Sequence, residues 1–477
     1  MKGVCGATRP SHNALHTAAV SFSSFFNPKP MNNQENKKFI LMTTAPVEKL
    51  VIRMAVPTVI IMLVSALYNM ADTYFVGSLG TSQTAAVGIT FSLMAIIQAI
   101  GFFFGQGAGN YLSRTLGEKD MRGAGRMAAT ACFTAFGFGC VLSLAGTLFI
   151  TPLARLLGAT DTILPYARAY LRFILLAAPF MISSFMLNNM LRFQGNASLS
   201  MIGMVSGAVL NVGLDPLFIF TFDLGVMGAS LATMISQIVS CSILFIISCA
   251  RSDTVPISPR NFSPQPAIYA EIARSGLPSL LRQALISIAT MCLNHAAGSF
   301  GDQTIAAISI VNRITLIAGA ALLGIGQGFQ PVCGFNVGAK KFDRVKKAFW
   351  FSVRTTTVAL TALAAAAFVF APHIIAWFRK DDAGVIETGA LALRFQCLAM
   401  PLSAWIVLNN MFLQTSGNAL SASILAFARQ GLFLIPLILI LTPLLGVRGI
   451  QLAAPIADAC AFIVAIPLGA KALRKMG

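Results

Sequence analysis

The feature that most restricts this chain is a recurrence of predominantly apolar stretches, each about 20 residues long, from residue 54 to residue 469. Such a stretch crosses the hydrocarbon layer of a bilayer as a helix, because only helices and closed barrels satisfy their own backbone there. The spans read as residues 54–75, 84–106, 127–150, 165–187, 200–221, 228–249, 276–299, 304–327, 350–371, 387–411, 420–441 and 450–469. Twelve spans leave room only for loops in a chain of 477 residues, so no separate soluble domain fits. With 10% of its residues charged, the chain is also far below the roughly 25% of soluble domains.

A net charge of +18 invites a polyanion partner, but the positions of the cations argue otherwise. Counted alternately along the inter-span segments and the span ends beside them, one side carries 24 Lys and Arg and the other only Arg155, Arg168, Arg379, Lys380 and Arg448. That count places Arg114 and Arg126 in the loop after the second span and Arg192, alone, in the loop after the fourth. Such asymmetry is the positive-inside pattern, with both termini expected in the cytoplasm and no nucleic acid as partner. Eight of the nine cysteines lie in or beside spans without metal-ligand spacing and read as small buried hydrophobes. The four histidines show no ligand spacing either, so no metal cofactor is expected. Residues 1–30 lack the apolar core of a secretory signal. Residues 1–45 are read as an N-terminal extension, either a disordered tail or an over-extended start with Met31 or Met42 as initiator.

Sliding the chain against itself by 221 residues aligns Pro57 with Pro278, Gly80 with Gly301, Gly105-Gln106-Gly107 with Gly326-Gln327-Gly328, and Gly117 with Gly338. At the same offset Leu187-Asn188-Asn189-Met190 meets Leu408-Asn409-Asn410-Met411, and Gly225-Val226 meets Gly446-Val447. One further residue brings Gly195-Asn196-Ala197 onto Gly417-Asn418-Ala419. Each half then holds an even number of spans, which predicts a parallel repeat about an axis along the membrane normal, with a cleft between two bundles. The repeated glycines read as close-packing and turn positions rather than a phosphate cradle, since they follow an apolar span and not a strand.

Ionisable residues inside spans are expensive and by default functional. Asp72, Arg172, Asp215, Arg282, Arg313, Arg429 and Asp458 stand out. Tyr68 precedes Asp72 by one helical turn, and Asn211 precedes Asp215 in the same way, so each pair shares a face. Pro216 cannot donate to the carbonyl of Val212, which leaves a free backbone acceptor beside Asp215. Carboxylate, amide and carbonyl oxygens together suit a proton or a small hard cation. The alternative for either acid is a residue that snorkels to the headgroups. At the repeat offset Asp72 meets Leu293 and Asp215 meets Pro436, so only the first half carries the acids. Asn188 is repeated as Asn409, which favours a scaffold role. Arg429 and Asp458, at similar depth on the last two spans, read as a structural ion pair or a second coupling site. Arg282 and Arg313 read either as cleft-lining or as partners of backbone carbonyls.

Pro57, the run Tyr68-Asn69-Met70-Ala71-Asp72-Thr73 with Phe75-Val76-Gly77, Asn211 to Pro216, Gly225-Val226-Met227-Gly228-Ala229, and the run from Gly326 through Gly338-Ala339-Lys340-Lys341 to Arg344 resemble the MATE family of multidrug and toxic compound extrusion transporters, and within it the bacterial DinF/MepA-like branch. The likeness covers nearly all of the chain from about residue 45. It implies an all-α membrane protein of twelve transmembrane helices in two pseudo-symmetric six-helix lobes. It also implies an ion site in the first lobe whose members map onto Tyr68, Asp72, Asn188, Asn211, Asp215 and Thr233. Family models let the first helix bend at the proline matching Pro57. Other branches carry acids in the second lobe on helices 7 and 10, where this chain has only Glu271 and Glu387 at span edges.

The expectation is a multidrug efflux antiporter of the bacterial cytoplasmic (inner) membrane, exporting organic and often cationic drug-like molecules in exchange for H⁺ or Na⁺ by alternating access. It is expected to be monomeric, to work in the lipid bilayer, and to be neither an enzyme nor cofactor-dependent. Its first lobe is read as residues 46–250, a cytoplasmic linker as 251–273 and its second lobe as 274–477. The rival within transport is a flippase or exporter of lipid-linked or other endogenous metabolites, for which Arg282 and Arg313 are the supporting residues.

Overall fold

The computed structural model describes residues 31–251, 253–378 and 382–476. Residues 1–30 of the N-terminal extension, and Arg379 and Lys380 of the charge count, lie outside the described residues. All regular structure among the described residues is helical. Twelve helices are long and apolar enough to cross a membrane: α1 Val47–Gly77, α2 Thr81–Gly117, α3 Met121–Leu148, α4 Leu164–Phe193, α5 Ala197–Thr221, α6 Gly225–Ala250, α7 Pro266–Gly298, α8 Gln303–Gly338, α9 Phe342–Val369, α10 Ala383–Thr415, α11 Ala419–Leu445 and α12 Val447–Arg474.

Several helices run well beyond the apolar stretches that announce them. α2 has 37 residues, about 55 Å of helix against a hydrocarbon layer of about 30 Å. The extra turns follow from what they pack on. Gly107, Gly117, Gly328 and Gly338 bring backbones of the two halves into contact, and a Cβ on Gly117 would stand 3.0 Å from the Cα of Gly338. Gly117 and Gly338 therefore meet each other between the halves, while Gly107 meets Ile272 and Gly328 meets Ala55. Arg126 lies inside α3, Arg114 inside the last turn of α2 and Arg192 inside α4, where it is fully buried. For Arg192 this corrects the loop assignment.

The duplication is visible in backbone detail. The short helices Ile150–Leu156 and Ala371–Phe378 follow α3 and α9 at the same offset. Gly80 and Gly301 both begin a helix with positive φ, at 130° and 93°. Gly195 and Gly417 end one at 82° and 85°, a conformation that side chains with a Cβ resist. α4 is the hub of the first half, packing on α2, α3 and α6, and α10 that of the second, packing on α8, α9 and α12. Between halves α1 lies on α8 and α2 on α7.

Contact between halves is concentrated at the end that bears the basic loops. In α1 the residues Leu50, Val51, Met54, Ala55, Thr58 and Ile61 are buried, whereas beyond Ile61 only Asp72 and Val76 are. α7 repeats the gradient, with Ile272, Ser275, Gly276, Pro278 and Ser279 buried and only Ala289 and Ala297 beyond them. Polar bonds tie the same end. Arg114 Nη2 of α2 pairs with Glu271 Oε1 of α7 at 2.6 Å, and Thr415 Oγ1 of α10 donates to Asn110 Oδ1 of α2 at 2.7 Å.

Residues 33–44 are helical, not a disordered tail. Asn32 caps this helix by accepting from Glu35 N at 2.8 Å, and Glu35 Oε2 accepts from Asn32 N at 2.7 Å, a reciprocal box that fixes a helix start. The helix crosses the basic end. Lys38 Nζ pairs with Asp253 Oδ2 at 3.2 Å, and Lys119 Nζ lies 4.5 Å from the Phe39 ring centre. At its other end Lys341 Nζ donates to Thr43 O at 2.9 Å and Arg344 Nη2 to Ala45 O at 2.6 Å.

Of the described cysteines, only Cys132, Cys333 and Cys397 are buried, while Cys140 and Cys249 are exposed. The small-hydrophobe reading is corrected accordingly: a lipid-facing position serves such a residue as well as a core one. All eight described cysteines are free thiols.

Candidate functional site

Asp72 and Asp215 come together in the first half. Asp72 is 8% exposed and Asp215 fully buried, and each lies in electrostatic range of Tyr68, with Asp72 also in range of Asp215. The site is built from helix spacing. Tyr68 and Asp72 stand one turn apart on α1, and Asn211 and Asp215 one turn apart on α5. Asn211 Nδ2 is the shared donor, reaching Asp215 Oδ1 at 3.5 Å and Thr233 Oγ1 of α6 at 3.3 Å. Immediately past Asp215, Pro216 ends the α-helical part of α5, which continues as a π-helical turn over Leu217–Thr221. Such turns arise where the regular ladder loses a donor, and they recur at functional positions.

The site is rich in acceptors and poor in donors. Asp72 Oδ1, Asp215 Oδ2 and Asn211 Oδ1 are buried without a hydrogen-bond partner. Buried acceptors left unpaired cost about 1–3 kcal/mol each, more when charged. Their complement is a proton or a cation. A cavity of about 70 Å³ reaches Asn211 but neither acid, lined by Tyr68, Asn211 and Thr233 together with Gln98, Phe185 and Gln237 among others. A water needs about 10–15 Å³, so the space beside Asn211 is large enough for a small ion with a few waters.

Other residues of the sequence reading fall elsewhere. Asn188 on α4 is buried with Oδ1 unpartnered. It lies eighteen residues beyond Tyr170, about 27 Å along the helix, and Tyr170 is the α4 residue in electrostatic range of both acids. Asn188 lies one turn beyond Phe185, which lines the cavity, and not at the level of Tyr170. Tyr170 is within range of the acid pair, and the sequence reading passed it over. Its signal was a tyrosine within an apolar span in a chain with only six of them. Pro57 is buried inside a continuous α1. Arg172 and Arg313 are exposed on their helices, and so is Glu387 on α10. Arg429 Nε meets Asp458 Oδ1 at 2.6 Å and Arg429 Nη2 meets Asp458 Oδ2 at 3.1 Å. Arg192 is fully buried, donating to Asn189 and lying 5.0 Å from the Phe193 ring centre. Among the described residues no group of three or more His, Cys, Asp or Glu is placed to hold a metal ion.

The sequence profile of the family described as MatE matches residues 57–217 and again residues 278–440. The chain belongs to the MatE family. The two matched segments start at Pro57 and Pro278, the prolines that the 221-residue offset superposes. MatE relatives include the multidrug export protein MepA of Staphylococcus aureus (strain NCTC 8325 / PS 47), 30% identical over 88% of this chain and 93% of MepA. MepA of Staphylococcus saprophyticus is 30% identical over 86% of this chain and 91% of its own length. Among solved structures, a MATE in a straight conformation gives a TM-score of 0.87 at 28% identity, covering 92% of this chain and 99% of the other. A MATE in a bent conformation gives 0.86 at 27% identity, over 94% and 98%. A transporter from Pyrococcus furiosus, of the MOP superfamily and described as having a binding pocket of reverse polarity, gives 0.86 at 27% identity, over 94% and 99%. The protein is a multi-pass membrane protein of a multidrug-transporter family, with the all-α MATE fold.

Proposed function

We propose that this chain exports organic, often cationic molecules in exchange for H⁺ or Na⁺, by exposing a cleft between two lobes to alternate sides of the membrane. The observation that carries the reading is the group of unpaired buried acceptors, Asp72 Oδ1, Asn211 Oδ1 and Asp215 Oδ2, in one half of a duplicated bundle. An ion bound there neutralises negative charge that would otherwise hold a cationic substrate, so ion and substrate compete. The ion drives the cycle only if it binds the two orientations with different affinity, which Asp72 and Asp215 would provide by changing neighbours as α1 moves on α8. Closure at the basic end, with far less burial at the opposite end of α1 and α7, supports an orientation open away from the basic loops.

On this reading the lobes are residues 46–250 and 274–477, joined by the linker 251–273, and Tyr68 and Thr233 complete the ion site around Asn211 and Asp215. Asn188 is given a scaffold role, and Pro57 is the point at which α1 bends. The protein would work as a monomer in the bacterial cytoplasmic membrane with both termini in the cytoplasm, which the distribution of Lys and Arg supports. The test is efflux of a fluorescent organic cation from everted vesicles under an imposed proton or sodium gradient. Asp72→Asn and Asp215→Asn should each abolish gradient-driven transport while keeping wild-type melting temperature. Retained transport in both variants would overturn the reading.

A further inference from the structure

The face that α6 turns inward is polar where packing alone would be served by apolar residues. From Thr233 to the end of the helix its buried residues are Thr233, Ser236, Ser240, Leu244 and Ser248. Their spacing of one helical turn puts them in a single row, in which every member but Leu244 carries a hydroxyl. Close packing explains part of the row. A Cβ on Gly207 of α5 would stand 2.8 Å from Ser240 Cβ, and Ser240 Oγ donates to Gly203 O at 3.0 Å. Packing does not explain Ser236, which is 2% exposed and whose Oγ has no partner. Oε1 of the neighbouring Gln237 is buried and unpaired as well. Alanine fills such a place as well as serine does, and a buried hydroxyl left unpaired is costly, so these groups have another partner.

The cavity supplies it. Ser236 and Gln237 line the first-half cavity together with Asn211, Thr233 and Ser240. A space of about 70 Å³ with polar walls and three unpaired acceptors, Asn211 Oδ1, Ser236 Oγ and Gln237 Oε1, holds water. It begins beside Asn211, whose Nδ2 reaches Asp215 Oδ1 at 3.5 Å, and from Thr233 to Ser240 it runs about 10 Å along α6 towards the basic end. There it stops. Leu244, next in the row, is fully buried and packs so closely on Gly203 of α5 that a Cβ there would overlap it. One turn further the hydroxyls resume at Ser248. Thr254 Oγ1 of the linker donates to Ser248 O at 2.9 Å, and Arg251, where the linker leaves α6, is exposed. Along this row one leucine separates a watered cavity from polar groups at the basic end.

We propose that this row is the route of the coupling ion. H⁺ or Na⁺ passes between the acid pair and the basic side through the interior of the first half, along waters held by Asn211, Ser236 and Gln237, and Leu244 is the plug that closes the route in this orientation. The proposal rests on the export reading and goes further, since that reading leaves the way of the ion to the basic side unassigned. Cargo keeps the cleft between the halves, and the ion has a path of its own. A hydrophobic constriction blocks ions by excluding water, and a small polar replacement lets water in. The plug is needed because a path open at both ends would dissipate the gradient without moving cargo.

The experiment measures ion flux in the absence of cargo. Proteoliposomes are held under a potassium and valinomycin potential, with entrapped pyranine reporting H⁺ in one arm and radioactive Na⁺ as tracer in the other. Leu244→Ser should raise the flux of one of the two ions over wild type by roughly tenfold or more, Leu244→Met should stay sealed, and Asp215→Asn added to Leu244→Ser should return the flux to the wild-type level. Wild-type flux of both ions in Leu244→Ser would overturn the proposal. So would a leak that survives Asp215→Asn, which marks a general packing defect. A second measurement does not depend on that variant folding. Ser236→Cys, in a background lacking the native cysteines, should be modified by Ag⁺, a small cation that reaches a buried thiol only through water; modification supports the watered cavity, and full protection overturns the proposal. If the wild type exports no organic cation, the export reading fails by itself, and the leak of Leu244→Ser with its dependence on Asp215 still decides the route.

Discussion

Replacing Glu271 by alanine should loosen the basic end by an amount that can be worked out. Glu271 Oε1 accepts from Arg114 Nη2 at 2.6 Å and from Ser275 Oγ at 3.1 Å, so one carboxylate ties α2 of the first half to α7 of the second. Hydrogen bonds to charged groups contribute about 1.5–3 kcal/mol. The two side chains are 16% and 24% exposed, and solvent screening at that exposure argues for the low end, about 1.5 kcal/mol. If the bond exists only while the basic end is closed, its loss shifts the closed-to-open ratio about tenfold, since each 1.4 kcal/mol is a factor of ten. A population open at about 1% in the wild type would rise to about 10%. Spin labels at Arg122→Cys and Asp343→Cys, exposed in the first turns of α3 and α9, in a background lacking the native cysteines, report the opening as a new long-distance component in a double electron–electron resonance trace. Arg114→Ala combined with Glu271→Ala should then add little to either single change, because both remove the same bond. An unchanged distance distribution, or full additivity in the double variant, would refute the reasoning.

The remaining expectations concern other contacts. Gly117→Val places a branched side chain where the Cα of Gly338 leaves only 3.0 Å for a Cβ, and overpacking of this kind costs about 1–3 kcal/mol; a lower melting temperature and raised basic-end accessibility to thiol reagents are expected, and wild-type values of both would contradict the packing. Asp458→Ala should destabilise the protein by about 3–5 kcal/mol, and Arg429→Met with Asp458→Leu should recover most of that, read by thermal unfolding in detergent; no recovery would mean that the pair is needed for more than packing. A chain beginning at Met42 loses the Asn32 cap and the Lys38 pair with Asp253, and it should show the same long-distance component as Glu271→Ala; an unaltered trace would show that residues 32–41 do not restrain the closed end.

The span count, the duplication and the acid pair were legible in the sequence for one reason: each is written in residues whose physics allows few alternatives. A 20-residue apolar run has one use in a bilayer, a repeated glycine marks a close approach or a positive φ, and a carboxylate in an apolar span needs a partner. What escaped was written in packing. Arg192 sits five residues beyond the apolar run of α4 and looks like loop, yet close contact between helix ends buries it. Tyr170 is chemically ordinary until two acids from other helices arrive beside it. Asn188 is repeated as Asn409 in the second half, and both are buried, as a scaffold pair would be. The same logic bears on charge. The charge count assigns Arg114 and Arg192 to loops, whereas both lie within helices, where they meet an acid and an amide. A cation on a loop sets orientation in the membrane, and one in a helix between the halves ties them together, as Arg114 does through Glu271. Sequence position alone does not separate those two roles; the depth at which neighbouring glycines let the helices meet does.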